Sequence, residues 1–325
     1  MDRQPRRVPE VLELVLDALP PASGAVVMGT GIVSVALLLD GQEVLSTILL
    51  VIAAAVWLAL AWLLPARAIT APERFEEDLG HPTSLTSIAG TGVLGTRLTL
   101  LGWDRFGAVL LVLALGIWIM LVPLVLRNWR TPTIGASFIV TVATESLALL
   151  ATALADADRD AWLLYVALVP FALGLGFYVW VLRRFQFRQL LEGVGDHWVT
   201  GGALAISTVT AGRIVLAARH TGAFGGDPAA LKTLALVLWC LTMAWLPALL
   251  VCEALAPRLR YSVRRWSTVF PVGMYAACSF VVGAVTDTPG ITDFARVWVW
   301  VALAVWALVF GSMLRGAPEL VRESG

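Results

Sequence analysis

Apolar segments of about 20 residues recur along almost the whole chain, and they constrain its fold more than any other feature. A helix of this length crosses the hydrocarbon core of a bilayer, because it rises about 1.5 Å per residue. Hydrophobic residues make up 59% of the 325 positions and charged residues 14%, with a mean hydropathy of +0.83. The sequence therefore predicts an all-α membrane protein with ten transmembrane helices, at about 21–40, 44–65, 83–101, 106–126, 135–154, 161–182, 199–218, 230–252, 265–285 and 293–314.

Positive charges lie mainly on the side of the membrane that holds the N-terminus. Sixteen Lys and Arg residues fall in the tails and loops of that side, and five lie in or beside the opposite loops. Cytoplasmic loops are enriched in these residues, so we expect a multi-pass plasma-membrane protein with both termini in the cytoplasm. A single transmembrane domain, 21–315, follows an amphipathic segment, 1–20, expected at the membrane surface, and precedes a short tail, 316–325.

Small polar residues and tryptophans divide between alternate spans. The odd-numbered spans contain 34 Gly, Ser and Thr residues against 10 in the even-numbered spans, which instead hold ten of the fourteen tryptophans. Small and hydroxyl-bearing residues allow close helix packing and line wet space, whereas large aromatic residues suit a lipid-facing shell. The pattern predicts five helical hairpins, with the odd-numbered helices forming an inner ring around a central pore.

Three ionisable residues, Arg97, Glu145 and Arg213, lie inside odd-numbered spans and away from the span ends. Such charges are costly in a bilayer, so they indicate function by default. In one interpretation the two arginines attract an anion, while Glu145 sets selectivity or takes a proton. In the other, Glu145 pairs with an arginine to hold the helices in register, or the arginines extend toward the membrane surface.

The ninth span, 265–285, combines hydroxyl groups with a proline in its interior. Pro271 leaves the carbonyl of Ser267 without its usual donor, which favours a helix that faces the protein interior. Phe270 then either projects into an interior path or fills space in a packed, kinked helix. The hydroxyls elsewhere in the odd-numbered spans likewise either line the path or make helix-packing contacts, and the candidates are Thr30, Thr91 and Ser207.

Several function classes find no support in the residues. No span contains a histidine or a pair of carboxylates, and no Gly-rich phosphate loop occurs, so neither an enzyme nor an ATP-driven pump is expected. The three cysteines lack the spacing of a zinc site or a disulfide framework. A formal net charge of zero gives no basis for nucleic-acid binding, and we expect no cofactor.

Two short motifs resemble those of a known family. They are Met28-Gly29-Thr30-Gly31-Ile32 in the first span and Trp266-Ser-Thr-Val-Phe270-Pro271-Val-Gly273 in the ninth. With ten helices in five hairpins, they are similar to the tellurite-resistance/dicarboxylate transporter family, which includes TehA, the plant slow-type (SLAC) anion channels, and the yeast malate permease and sulfite exporter. The resemblance implies a pore within the five odd-numbered helices, a gate at Phe270 and Pro271, a homotrimer, and a substrate path that includes Gly29, Thr30 and Gly31.

Two function hypotheses result. The first is a secondary carrier of a small anion such as the C4-dicarboxylate malate, with proton coupling through Glu145. The alternative is a passive, Phe-gated anion channel, or an exporter of sulfite or tellurite. One geometric question stays open at this point, because Phe270 lies only about 6 Å inside a helix that begins at Trp266. A gate at mid-membrane would require the helix to begin earlier, near residues 258–262.

Overall fold

The fold is known from a computed structural model that describes residues 19–192, 195–257 and 261–323, with side chains as far as residue 315. Most of the predicted amphipathic segment 1–20 lies outside the described residues. Within them the predicted all-α class is confirmed, since the chain forms eleven α-helices and no β-strand. The helices are α1 (Gly24–Leu39), α2 (Glu43–Thr70), α3 (Pro72–Leu79), α4 (Thr86–Thr99), α5 (Asp104–Arg127), α6 (Ile139–Asp158), α7 (Ala161–Leu182), α8 (Trp198–Thr221), α9 (Ala229–Leu255), α10 (Trp266–Thr286) and α11 (Pro289–Glu323).

Nine helices in the described part of the chain are long and apolar enough to cross a membrane. The predicted span 83–101 is not among them, because α4 contains 14 residues and so rises about 21 Å, less than the roughly 30 Å of the hydrocarbon core. Its N-terminal part forms a separate 3-10 turn, Pro82–Leu85, where Pro82 sits at the first position. Only the remainder of the predicted span continues as an α-helix.

The helices fall into a buried set and an exposed set. The membrane-spanning windows of α1, α6, α8 and α10 are 83 to 100% buried, and nearly every residue of α4 is buried too. The corresponding windows of α2, α5, α7, α9 and α11 are only 22 to 33% buried, and they carry most of the exposed large apolar side chains. We call these the inner and the outer helices.

Helix contacts follow a repeated order. Each inner helix packs against the outer helix that follows it in the chain, which gives the pairs α1–α2, α4–α5, α6–α7, α8–α9 and α10–α11. The inner helices also pack against one another in the closed order α1, α4, α6, α8, α10 and back to α1. Each outer helix further contacts the inner helix of the next pair, so every inner helix is held from several sides.

Glycines allow the inner helices to approach closely. A Cβ atom added to Gly202 of α8 would lie 2.7 Å from Cγ of Pro271 in α10. One added to Gly92 of α4 would lie 2.8 Å from Cβ of Ser146 in α6. Both distances are shorter than a van der Waals contact, so these positions require a residue without a side chain.

Four outer helices are joined to the inner helix of the next pair by a hydrogen bond of one kind. In each case a tryptophan indole N–H of the outer helix donates to a Ser or Thr hydroxyl of the inner helix. We call these contacts the indole bonds, and they run from Trp57 to Thr91, Trp118 to Thr144, Trp239 to Ser279 (each 2.9 Å) and Trp306 to Thr30 (3.0 Å). Tryptophans that the sequence assigns to a lipid-facing shell thus also connect that shell to the inner helices.

We expect Trp118→Phe and Thr144→Val to be energetically coupled in a double-mutant cycle, because either change removes the same indole bond. Hydrogen bonds between transmembrane helices contribute about 0.6 to 1.7 kcal/mol, and we expect a coupling of that size from unfolding in detergent. Trp62→Phe is the matched control, since Trp62 is 61% exposed on the outer surface of α2. Additive effects of the two changes would show that the indole bond contributes nothing to stability.

Candidate functional site

The indole bonds show which side of each inner helix faces outward. A residue two positions earlier is turned by about 200°, so it points to nearly the opposite side. In α8, which accepts no indole bond among the described residues, Thr208 marks the outward side instead. Its hydroxyl lies 3.1 Å from that of Thr242 in outer helix α9. The residues two positions before these references are apolar and point toward the space between the five inner helices, and we call them the interior face: Met28, Ala89, Val142, Ile206 and Ala277. Of the residues two positions after the references, Ser146 and Thr210 are polar, and their hydroxyls bond backbone carbonyls of their own helices.

Phe270 belongs to the interior face and has its largest side chain. It lies nine residues, or about 2.5 turns, before Ser279, whose hydroxyl accepts the indole bond from α9, so the two side chains point in opposite directions. Its neighbours Val269 and Pro271 pack against Gly29 of α1 and Gly202 of α8. Phe270 consequently projects between these two helices toward the enclosed space, where it is completely buried.

The depth of Phe270 depends on how α10 begins. The α-helix starts at Trp266, but a 3-10 turn, Val263–Arg265, precedes it directly. Turn and helix together place Phe270 about 12 Å from Val263 along the axis, about twice the depth counted from Trp266 alone.

The MGTG motif makes contacts between helices. A Cβ on Gly29 would lie 3.0 Å from the ring of Trp266, and one on Gly31 would lie 2.9 Å from Val93, so both glycines face neighbouring inner helices. The hydroxyls of Thr30 and Thr91 point to outer helices, where they accept indole bonds. Of these predicted path residues, none has its side chain on the interior face.

Glu145 is wholly buried where α6, α7 and α8 meet. Its Oε1 accepts a hydrogen bond of 2.8 Å from the hydroxyl of Ser207 in α8, so the structure brings these two predicted site residues together. A Cβ on Gly174 of α7 would lie 2.7 Å from the same oxygen, which places the carboxyl against an outer helix. Within the described residues Oε2 has no hydrogen-bond partner and no cation pairs with the carboxylate.

The junction of α7 and α8 is also the one that has no indole bond in the described part of the chain. Gly174 is the 14th residue of α7, whereas Trp57 and Trp118 are each the 15th residue of α2 and α5. A glycine therefore stands near the level at which other outer helices carry the donor tryptophan. At this junction the side chain of Glu145 lies against Gly174.

Arg97 is buried between α1, α2 and α4. Its Nε donates to the hydroxyls of Ser34 at 3.2 Å and Ser46 at 3.1 Å, and each of these hydroxyls also bonds the other serine's carbonyl at 2.6 Å. One terminal nitrogen of the guanidinium has no hydrogen-bond partner among the described residues, and no carboxylate there pairs with it. The site holds a positive charge that the nearby protein groups do not neutralise.

Arg213 forms an ion pair that the sequence analysis missed. Its terminal nitrogen lies 3.1 Å from Asp156 at the end of α6, and the other oxygen of Asp156 lies 2.5 Å from Nδ1 of His220. Asp156 falls two residues beyond the predicted span 135–154, where a charged residue is typical of a loop. The sequence does place Asp156 on the same side of the membrane as Arg213, and this is the feature from which the ion pair could have been predicted.

His81 lies outside the membrane-spanning helices, at the entrance to α4. Burial and the nearby Arg264 and Arg130 lower its pKa, so the ring is neutral near pH 7. The ring accepts a hydrogen bond from the backbone N–H of Thr83, which caps the turn ahead of α4. No group of three or more His, Cys, Asp or Glu residues in the described ranges could hold a metal ion.

Comparison with known proteins agrees with this architecture. A family model described as a voltage-dependent anion channel, SLAC1, matches residues 18–314. Two curated proteins of Mycobacterium tuberculosis, described as uncharacterized membrane proteins MT1776 (strain CDC 1551 / Oshkosh) and Rv1735c (strain ATCC 25618 / H37Rv), are each 31% identical over 140 residues, which cover 40% of this chain and 68% of the relative. The chain thus belongs to the SLAC1 family of anion channels and transporters, as the two sequence motifs predict.

Proposed function

We propose that this protein carries small anions across the membrane through the space enclosed by α1, α4, α6, α8 and α10, and that Phe270 is the gate. The observation that carries the proposal is the direction of Phe270, a large and completely buried ring that points the same way as the interior face. Membership in an anion-channel family supports the class of substrate. Pro271, packed on Gly202, fixes the backbone from which the ring projects.

The chemistry of the enclosed space favours passive conduction of small monovalent anions. The interior face is apolar, and moving a charge into apolar surroundings costs free energy that rises with each added charge. Arg97 and Arg213 lie toward the far side of the membrane from the N-terminus, where their positive charges attract anions. Arg97 is the stronger candidate for this role, because Asp156 neutralises Arg213.

We expect Phe270→Ala to raise anion flux into liposomes by at least about tenfold, which corresponds to a barrier lower by about 1.4 kcal/mol. The phenyl ring no longer blocks the enclosed space in this variant. The flux of chloride and nitrate through the purified protein measures the effect.

The matched control is Val269→Ala, one residue away, whose side chain contacts Gly29 of α1 instead of the enclosed space. This change removes apolar volume from the same helix without opening the path. Equal fluxes in the two variants would contradict a gate at Phe270.

A second candidate function is proton-coupled transport of a C4-dicarboxylate such as malate. The observation that favours it is the buried Glu145, whose Oε2 has no hydrogen-bond partner in the described structure and offers a place for a proton. Export of sulfite or tellurite would use the same path in the opposite direction.

We expect Glu145→Gln to distinguish the two candidates when malate uptake is measured with an inward proton gradient. A coupled carrier loses accumulation above the malate gradient, because glutamine binds no proton, whereas a channel keeps its flux. Ser207→Ala is the control, since it removes the hydrogen bond to Glu145 but leaves the carboxyl group. Failure of the unaltered protein to accumulate malate would exclude the coupled carrier.

The proposal also covers the membrane, the orientation of the chain and its assembly. The excess of Lys and Arg on one side of the membrane supports a plasma-membrane protein with cytoplasmic termini. A homotrimer is the assembly that the family resemblance implies.

A further inference from the structure

A deep groove lies on the lipid-facing side of the protein, away from Phe270. It encloses about 350 Å³ between the outer helices α2 and α5, and its floor is formed by α1 and α4. Gly24 and Val27 of α1 and Gly90 of α4 reach this floor, where the absence of large side chains makes the groove deep. Its rim includes Met120, which is 61% exposed, so the groove opens directly to the bilayer.

The length of the groove matches one leaflet. Along α2 it extends from Trp57 to Arg67, ten residues that span about 15 Å, or half of a hydrocarbon core of roughly 30 Å. The half concerned is the one on the N-terminal side of the membrane, because α2 ends there. A ligand lying along the groove therefore occupies the depth of a single acyl chain.

The polarity of the groove matches an amphiphile. Its walls are almost wholly apolar between Trp57 and Leu64, and the polar lining groups collect at the membrane-surface end, where Arg67, Asp78 and Ser84 lie. A phospholipid has the same order, with hydrocarbon toward the membrane centre and a phosphate at its surface.

Arg67 and Asp78 form the polar end of the groove. Its side chain is nearly buried, one terminal nitrogen lies 2.6 Å from Asp78, and the other bonds the carbonyl of Leu19. The remaining N–H group, at Nε, is buried without a hydrogen-bond partner among the described residues. The ion pair with Asp78 makes this end of the groove polar without a net charge, as suits the depth at which lipid headgroups meet hydrocarbon.

We propose that this groove binds one acyl chain of a membrane phospholipid from the leaflet on the N-terminal side, with the headgroup at the level of Arg67 and Asp78. The bound chain contacts α1 and α4, two of the five inner helices, so lipid composition acts on the inner ring through this site. This inference is independent of the substrate and of the gate.

Native mass spectrometry of the purified protein tests the proposal with Ala61→Phe. Ala61 lines the groove and is exposed, so a phenyl ring there fills the groove without crowding the core. We expect retention of added phosphatidylglycerol or phosphatidylethanolamine to fall about tenfold, as the loss of contact with about two methylene groups would give. Ala59→Phe is the matched control, because Ala59 is exposed on α2 outside the groove.

A second pair of variants on the opposite wall keeps the test decisive if Ala61→Phe does not fold. Leu113→Trp fills the groove from α5, whereas Val112→Trp adds the same ring to a lipid-facing position beside it. Equal lipid retention within both pairs would overturn the proposal. A change of oligomeric state in the groove variants alone would assign the groove to a second copy, and lipid binding that appears only after deletion of residues 1–18 would assign it to the chain's own N-terminus.

Discussion

A hydroxyl group buried in a membrane protein must find its partner within the protein, because hydrocarbon offers none. The inner helices carry many such groups, and most of them bond a backbone carbonyl of the preceding turn. Thr30, Thr91, Thr144 and Ser279 also accept a bond from an outer tryptophan. Each donor comes from the preceding helical pair in the sequence, and the donor to Thr30 comes from the last pair, so satisfying the hydroxyls also helps to arrange the pairs in a closed order.

This arrangement separates polarity from the enclosed space. The hydroxyls that accept the indole bonds turn outward, and apolar side chains such as Met28 and Val142 turn inward. An ion that entered such a space would lose hydration without gaining many hydrogen bonds. One side chain that blocks the space would therefore have a large effect on the passage of the ion. Phe270 stands in that position, and glycines such as Gly202 let the neighbouring helix pack close behind it.

Much of the architecture could be predicted from the sequence because it rests on patterns of hydrophobicity. Apolar runs located the spanning helices, and the contrast between Gly/Ser/Thr-rich and Trp-rich spans identified the buried and exposed sets. The length of α4 was not predictable from hydropathy, since Pro82 converts the first turn of an apolar run into a 3-10 turn.

The candidate site was harder to predict, because composition assigns a residue to a helix but not to a face. Thr30 and Thr91 are residue types that commonly line a polar path. The direction of their hydroxyls nevertheless depends on Trp306 and Trp57, which lie far away in the sequence. The ion pair of Asp156 could not be predicted, because charged residues are common just beyond the end of a span. Only the folded chain brings Asp156 next to Arg213. The burial of α10 was predictable, because Pro271 marks the helix as unsuited to lipid, whereas the residues alone left Phe270 as either a path residue or packing.

The glycine at position 174 has a consequence for energy coupling. By admitting the carboxyl of Glu145 beside α7, it places the acid behind the wall of the enclosed space, next to the outer helices. An ion in transit and a proton on this acid would therefore never occupy the same compartment. Protonation would therefore act on the ion across this wall, through the field of the carboxylate and through the hydrogen bond from Ser207 to α6, and not by competition for one binding site.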